Sequence, residues 1–514
     1  MVGLLGGVLA ITLRVLGGSS THGDVYIAQN SSGAANGSAC ADALSIASLS
    51  GGDWVPGNTI HLCGTITSTL TAQGSGSNGS PITVLFEAGA SITVPACGAN
   101  GCINLAGSSY VVIDGGGTTP CGYVGGLDVP CSGAIAATQS GTGMGNAESI
   151  GIYAMGASNI EIRNLNIANM YVHSGSGNDV ATNLYYAIQV RGSNIFVHHC
   201  VIHDANGDIV GEAGTTNSEF SHNHMYNSNW NVFLSGPTGN TPNSITQIKI
   251  HDNDMHDYAN WDTTSDRYHH DGVIVAGNSN LANGVSYISI YNNYIHGSIS
   301  RCSSNCGTAF IFVNDANHVS TFNNVIVAGQ NQFFYNGLIF YWSPGTLQSG
   351  SLIANNTVIG GTQSSGGCIS IRGDAGMIFR NNIVSNCQTL MTVSSATAFS
   401  SVSNNVYQDS SLSGVISGLT SALNSLTAWL SSLGDTTSQS ITTSLNLGAN
   451  FVPLPSSAAV GKGANLTSIG VAALDSDKAG SLRSGSGAWD VGAYESGSNA
   501  QRPAPPTGLT VSVH

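Results

Sequence analysis

Between Ile248 and Gly277 the chain reads IKIHDNDMHDYANWDTTSDRYHHDGVIVAG, which holds Asp252, Asp254, Asp257, Asp262, Asp266 and Asp271 together with His251, His256, His269 and His270. Only 8% of all residues are charged, so this crowding of titratable groups stands out. Such groups gathered at loop ends are what proton transfer or metal binding requires. Hydrolysis of an acetal link needs one protonated and one ionised carboxyl. Asp262, Asp266 and Asp271 are the candidates, with Asp257 in reserve and His269 or His270 able to hold one of them in its working state. Elimination beside a uronate carboxyl needs a base, for which Tyr268, His269 or Arg267 would serve. It also needs a cation, which Arg301, Arg191 or a Ca2+ held by Asp252, Asp254 and Asp257 would supply. A zinc site from His251, His256, His269 and His270 matches no firm ligand spacing. No other cofactor is implied.

Those residues need a frame to hold them. From Ser108 onward a short phrase recurs: NIEIRNLNI, NIFVHHCVI, IKIHDNDMH, YISIYNNYIH, LIANNTVI, IFRNNIVS and SVSNNVYQ among others. Its second polar residue falls at Asn223, Asn253, Asn293, Asn324, Asn356, Asn382 and Asn405, with separations of 23 to 40 residues. A second strand-like segment precedes each phrase: YAIQVRG, NVFLSG, DGVIVAG, AFIFVND, GLIFYWS and CISIRG. Two or three short strands per repeat with no helix between them describe coils of a solenoid. The fold class is therefore all-β, a single-chain parallel β-helix. Asn suits its corners, because it tolerates the left-handed conformation and its amide can bond to the Asn of the next coil.

Stacking places residues that are distant in sequence about 4.8 Å apart. His203, Tyr226, His256 and His296 take one equivalent position, and Asp204, Asn227 and Asp257 the next. At the entry to the other strand, Tyr186, Trp230, Asp271 and Thr308 align, with Tyr185, Asn229, His270 and Gly307 one step earlier. The insertion from Tyr258 to His269, which carries Trp261, rises between these stripes. Aromatic faces for sugar rings, with Asp, Asn and His for hydroxyls, suit a linear glycan. Taken singly, each of these residues is equally compatible with packing or with an idle solvated surface. The reading rests on their coincidence on one face.

The rest of the composition narrows the classes. The chain has 514 residues, 67 of them Gly, a mean hydropathy of +0.11 and a net charge of −15 with only 12 Lys and Arg. That excludes a nucleic-acid partner and disfavours a polyanionic substrate without a bridging cation. No internal apolar run is long enough to span a membrane. Cys40/Cys63, Cys97/Cys102, Cys121/Cys131, Cys302/Cys306 and Cys368/Cys387 form short-range pairs suited to an oxidising compartment, with Cys200 left over. Residues 1–22 read as a signal-like segment interrupted by Arg14, 23–107 as a cap and first coils, and 108–410 as the repeats. Residues 411–497 read as an irregular cap with a short helix, and 498–514 as a linker-like tail. A monomer is expected.

The repeat from Ser108 to Tyr407, with the closing phrase GSLRSGSGAWDVGAYE, resembles secreted bacterial right-handed parallel β-helix proteins of the pectate-lyase-like superfamily. The resemblance implies a secreted or cell-surface protein acting on carbohydrate. That fold also hosts hydrolases, lyases, epimerases and adhesins, so it does not choose among them. The NTD, DD, GHG and RIK series of polygalacturonases is missing, as are the WIDH-type and RxPxxR segments of common pectate lyases. A polysaccharide hydrolase with paired Asp, a calcium-dependent lyase and a non-catalytic glycan-binding surface protein all remain open.

Overall fold

A computed structural model describes residues 23–139, 141–142, 148–173, 185–237, 244–258, 270–278, 284–299, 307–329, 336–343, 349–360, 367–373, 375–387, 389–394, 396–408, 414–416 and 426–498. The chain winds as a right-handed parallel β-helix, the hand that parallel crossovers adopt. Each coil contributes a strand to each of three faces. One coil runs through Trp230–Ser235, Ile245–His251 and Asp254–His256, and the next through His270–Ala276, Val285–Tyr291 and Tyr294–Gly297. The first and second faces merge into one sheet because Ser149–Arg163 and Tyr185–His198 run unbroken around the corner between them. The third face is a separate parallel sheet.

Register explains the core. On the first face Ile209, Val232, Val273, Ile311, Ile339 and Ile369 pair in succession, and all are fully buried. On the third, Ile202, Met225, Met255, Ile295, Ile326 and Val358 do the same. Each such side chain contributes about 1.5–3 kcal/mol by leaving water, so the interior is a set of apolar columns running along the axis.

The corner between the second and third faces divides its work between two consecutive residues. The first adopts the left-handed conformation: His199, His222, Asp252, Asn292, Asn323, Asn355, Asn381 and Asn404 all have φ between 51° and 59°. The second turns inward and builds the ladder. Asn223 Nδ2 donates to Asn253 Oδ1 at 3.1 Å, and the chain continues through Asn293, Asn324, Asn356, Asn382 and Asn405 at 3.0–3.2 Å. Cys200 occupies the same rung one coil earlier, where its backbone N–H donates to Asn223 Oδ1 at 3.1 Å. Its free thiol is buried, and burial pushes its pKa up to about 12.

The C-terminal segment is more than an end cap. It runs back along this same corner, held by the left-handed asparagines. Asn404 donates to Lys462 O at 2.9 Å, Asn381 to Ala464 O at 2.8 Å, Asn323 to Ser476 O at 2.8 Å, and Asn355 to Gly492 O at 3.2 Å. Arg483 donates to Asn323 Oδ1 at 3.0 Å, and its guanidinium lies over buried Trp489. The expected helix is present at Leu426–Ser432, with Leu430 in the main core. Four of the five cysteine pairs are disulfides: Cys40–Cys63, Cys97–Cys102, Cys121–Cys131 and Cys368–Cys387. Cys302 and Cys306, the segment 1–22 and the tail beyond 498 lie outside the described residues. No helix among the described residues is long and apolar enough to cross a membrane.

Candidate active site

The strands of the third face are short, and their middle residue points inward. The two flanking residues therefore point out, in two parallel rows. One row is the expected one. His203, Tyr226, His256 and His296 pair in register. Their rings stack with centroids 4.7, 5.4 and 4.8 Å apart and planes within 20° of parallel. At the next position Asp204, Asn227 and Asp257 are all left-handed. Asp204 accepts from His203 Nδ1 at 2.6 Å and Asp257 from His256 Nδ1 at 2.8 Å, while Ser298 N donates to the other Asp257 oxygen at 2.9 Å.

The second row holds His224, Asp254 and Tyr294. Asp254 is fully buried and bonds His296 Nε2 at 2.8 Å, while His224 Nε2 meets His256 Nε2 at 2.8 Å. A hairpin of Gly122–Val124 and Leu127–Val129 adjoins this row, with Asp128 3.7 Å from His224. Burial, and then the charge of Asp254, push the Asp128 carboxyl up to about 7. Burial pushes the His224 imidazole down to about 4. Burial also opposes ionisation of Asp254 and Asp257, but their imidazole partners outweigh it and hold both below the usual carboxylate range. The result is a compact array of imidazoles and carboxylates with its edge open to solvent at His203, His296 and Asp257.

Three residues separate Tyr226 from Trp230, so the first face begins immediately around the corner. That corner is locked from inside. Asp208 accepts from Ser228 Oγ at 2.6 Å and from Asn231 Nδ2 at 2.7 Å, and burial raises its carboxyl well above the usual range. Beyond it lies a cleft of about 730 Å³ lined by Trp230, Phe233, Ile274, Phe312, Phe340 and Trp342, with Arg372 at one side. Phe312 and Phe340 stack at 5.0 Å, and the Arg372 guanidinium lies 5.2 Å from the Phe340 ring centre. Trp342 is 40% exposed, so its ring is available to a ligand.

The second expected stripe needs correction in its register. Trp230 does pair with Asp271, but Gly207 lies between Tyr186 and Trp230. The coil containing Gly207–Glu212 is absent from the sequence alignment because Gly207, Asp208 and Gly211 leave only Ile209 and Val210 as apolar residues of its first-face strand. A bulge after His270 also brings Ala309, not Thr308, opposite Asp271. Asp271 and His270 are fully buried. Asp271 accepts from Ala309 N at 2.9 Å, and His270 Nδ1 bonds to Ile299 O at 2.9 Å. Tyr186 is half-buried.

Asp252, Asp254 and Asp257 do not converge as a calcium cage. Asp252 bonds His251 at 2.7 Å and lines a different cavity of about 430 Å³, with Tyr123, His222 and Lys478. Asp254 and Asp257 each pair with a histidine instead. Trp261, Asp262, Asp266, Arg267, Tyr268, His269 and Arg301 lie outside the described residues. Sequence reasoning missed Asp128, His224 and the aromatic residues beyond Trp230. Asp128 had a signal: between Cys121 and Cys131, VGGL is a two-residue hairpin turn, and Gly125 and Gly126 both have positive φ.

No protein-family model and no curated protein sequence matches this chain. Among solved structures, a GH136 lacto-N-biosidase from Eubacterium ramulus aligns with a TM-score of 0.43 at 13% identity, covering 75% of this chain. This chain spans 63% of that protein's length. Pectate lyase Pel9A aligns at 0.39 and 17% identity, covering 93% of this chain and 98% of that one. An exopolygalacturonase from Thermotoga maritima aligns at 0.37 and 10% identity, covering 71% and 84%. At such scores the fold assignment rests on the chain's own strand register.

Proposed function

We propose that this chain is a secreted glycan-degrading enzyme. A linear glycan lies in the aromatic cleft of the first face, and its scissile bond sits at the corner beside Trp230. One observation carries the reading: an open aromatic cleft and a stacked row of His, Tyr and Asp side chains adjoin at a corner that a buried polar network holds rigid. Aromatic planes bind sugar rings, and the neighbouring titratable groups provide the proton transfers. Secretion is supported by four disulfides.

Glycoside hydrolysis is the preferred reaction. The carboxyl pair comes from Asp262, Asp266 and Asp271, on or beside the insertion that leaves the third face after Tyr258 and returns at His270. The backbone N–H of Ala309 orients Asp271. Tyr186, His203, Tyr226, Trp230, Trp261, His296 and Arg301 contact substrate, while His256, His269 and His270 set protonation and position. Arg372 favours a second reading. Among the described residues it is the one Lys or Arg lining the cleft, and it would neutralise a uronate carboxylate during β-elimination with Tyr268 or His269 as base. Incubation with neutral and uronate polysaccharides, with and without Ca2+, separates the two. Hydrolysis releases reducing ends without the ultraviolet absorbance of an unsaturated uronate. Loss of that release in Asp262→Asn and Asp266→Asn, with an unchanged melting temperature, supports the carboxylate assignment. Full activity in both overturns it.

A further inference from the structure

We propose that Asp254, His256 and His296 form the binding site of one divalent transition-metal ion of the zinc class. Their ligand atoms all lie within 4.8 Å of one another. Asp254 and His256 come from one strand of the third face, and His296 from the paired strand of the next coil. The backbone that spaces them is therefore fixed by the ladder itself. Two imidazole nitrogens and one carboxylate form a donor set for zinc and its first-row neighbours, whereas Ca2+ takes an all-oxygen shell.

Three further observations point to an ion. The first is Asp254 Oδ2, which has no hydrogen-bond partner although Asp254 is fully buried. An unpartnered buried carboxylate oxygen is costly, and coordination satisfies it. The second is Asp257. It accepts from His256 Nδ1 at 2.8 Å and so turns the Nε2 lone pair of that ring toward the site, the carboxylate–histidine–metal arrangement. The third is the contact between His224 Nε2 and His256 Nε2 at 2.8 Å. Two imidazole nitrogens that close need a proton between them, and a metal on His256 Nε2 removes the need for it. His296 Nε2, now bonded to Asp254 Oδ1, likewise gives up its proton on binding. The partly exposed edge of His296 provides the way in.

The test uses the full chain, stripped with EDTA, dialysed and titrated with Zn2+ against a chromophoric chelator. Co2+ serves as the spectroscopic probe. We expect one equivalent of Zn2+ with a dissociation constant on the order of 1 µM or tighter, and a visible Co2+ band of a four- or five-coordinate nitrogen–oxygen site. His296→Gln and Asp254→Asn abolish both. Asp257→Asn, a partly exposed position that leaves the ligands in place, weakens binding by about 10- to 100-fold. His251→Gln, on the second face, leaves Zn2+ binding unchanged. Near-ultraviolet circular dichroism checks that each variant is folded, and Asp257→Asn decides the matter if the ligand variants are not. Absence of stoichiometric binding, binding that survives in Asp257→Asn at full strength, or preference for Ca2+ over Zn2+ overturns the proposal. The ion shares His256 and His296 with the row proposed to act on the glycan, whereas none of its ligands lines the cleft of the first face, so Zn2+ binding is measured separately from glycan binding and cleavage.

Discussion

Asn323 and Asn324 are neighbours in sequence with different duties, and substituting each in turn separates them. Asn324 is fully buried. Its Nδ2 donates to Asn356 Oδ1 at 3.0 Å and to Ile290 O at 2.9 Å, while its Oδ1 accepts from Asn293 N and Asn293 Nδ2, each at 3.0 Å. Asn324→Ala removes all four bonds and strands at least two buried donors on Asn293. At about 1–3 kcal/mol per unsatisfied buried group, the loss is about 2–6 kcal/mol before any water or repacking relieves it. Asn323 instead faces the C-terminal segment, donating to Ser476 O at 2.8 Å and accepting from Arg483 at 3.0 Å. Its φ of 53° makes Ala a confounded probe, so Gly is the informative replacement. Asn323→Gly loses only the docking bonds, about 1–3 kcal/mol, and Arg483 keeps Gly492 O, Ala493 O and Glu495. Urea unfolding followed by circular dichroism should show a large loss of midpoint for Asn324→Ala. Limited proteolysis should show cleavage near Ser476 for Asn323→Gly, with a smaller loss of midpoint than Asn324→Ala shows. Equal midpoints, or cleavage near Ser476 in Asn324→Ala alone, would refute this division of labour.

Other perturbations follow from the same contacts. Trp342→Ala should weaken glycan binding about two- to tenfold, from loss of one exposed stacking plane worth about 0.5–1.5 kcal/mol, with the melting temperature unchanged by calorimetry. The Glu219–His251 pair, 3.1 Å apart, gives a pH signature. Hydrogen bonding from His251 pulls Glu219 down to about 2 against the penalty of burial, so its contribution is present above the unfolded carboxylate pKa near 4.3 and fades as pH falls toward 2. Burial opposes protonation of His251, but Asp252 and Glu219 outweigh it and raise its pKa. Its contribution is therefore full below about 6.5 and fades as pH rises through the elevated value. Glu219→Gln should cost about 1 kcal/mol near pH 5.5 and less above pH 8; a flat difference across that range would remove the ion pair from the account. Cys200 should be inert to thiol reagents in the folded chain, so that Cys200→Ser leaves the native reaction with Ellman's reagent unchanged and lowers only the denatured count.

Much of the fold is legible in the sequence because a β-helix repeats its corners. The Asn rungs and the row from His203 to His296 can be aligned by eye, and the observed strand pairs match them. Legibility fails where the repeat is irregular. The strand Gly207–Glu212 holds Gly207 and Gly211 and buries Asp208, so it carries no apolar alternation to betray it. The bulge at His270 shifts one partner without leaving a mark in sequence. The path of the C-terminal segment is hidden for another reason: its partners on the corner asparagines are mostly backbone carbonyls, which every residue possesses. Even so, the change from His or Asp to Asn at the left-handed corner, from Asn292 onward, marks the coils it covers. The aromatic cleft is spread over residues 230 to 372 and only register brings it together.

The most direct measurement is turnover on a panel of linear polysaccharides, neutral and uronate, by the full chain and by Trp230→Ala. At least one glycan should be cleaved with release of new chain ends, and Trp230→Ala, folded by circular dichroism, should lose most of that rate. A folded wild-type chain that neither binds nor cleaves any member of the panel, or a Trp230→Ala variant that cleaves at the full rate, would contradict it.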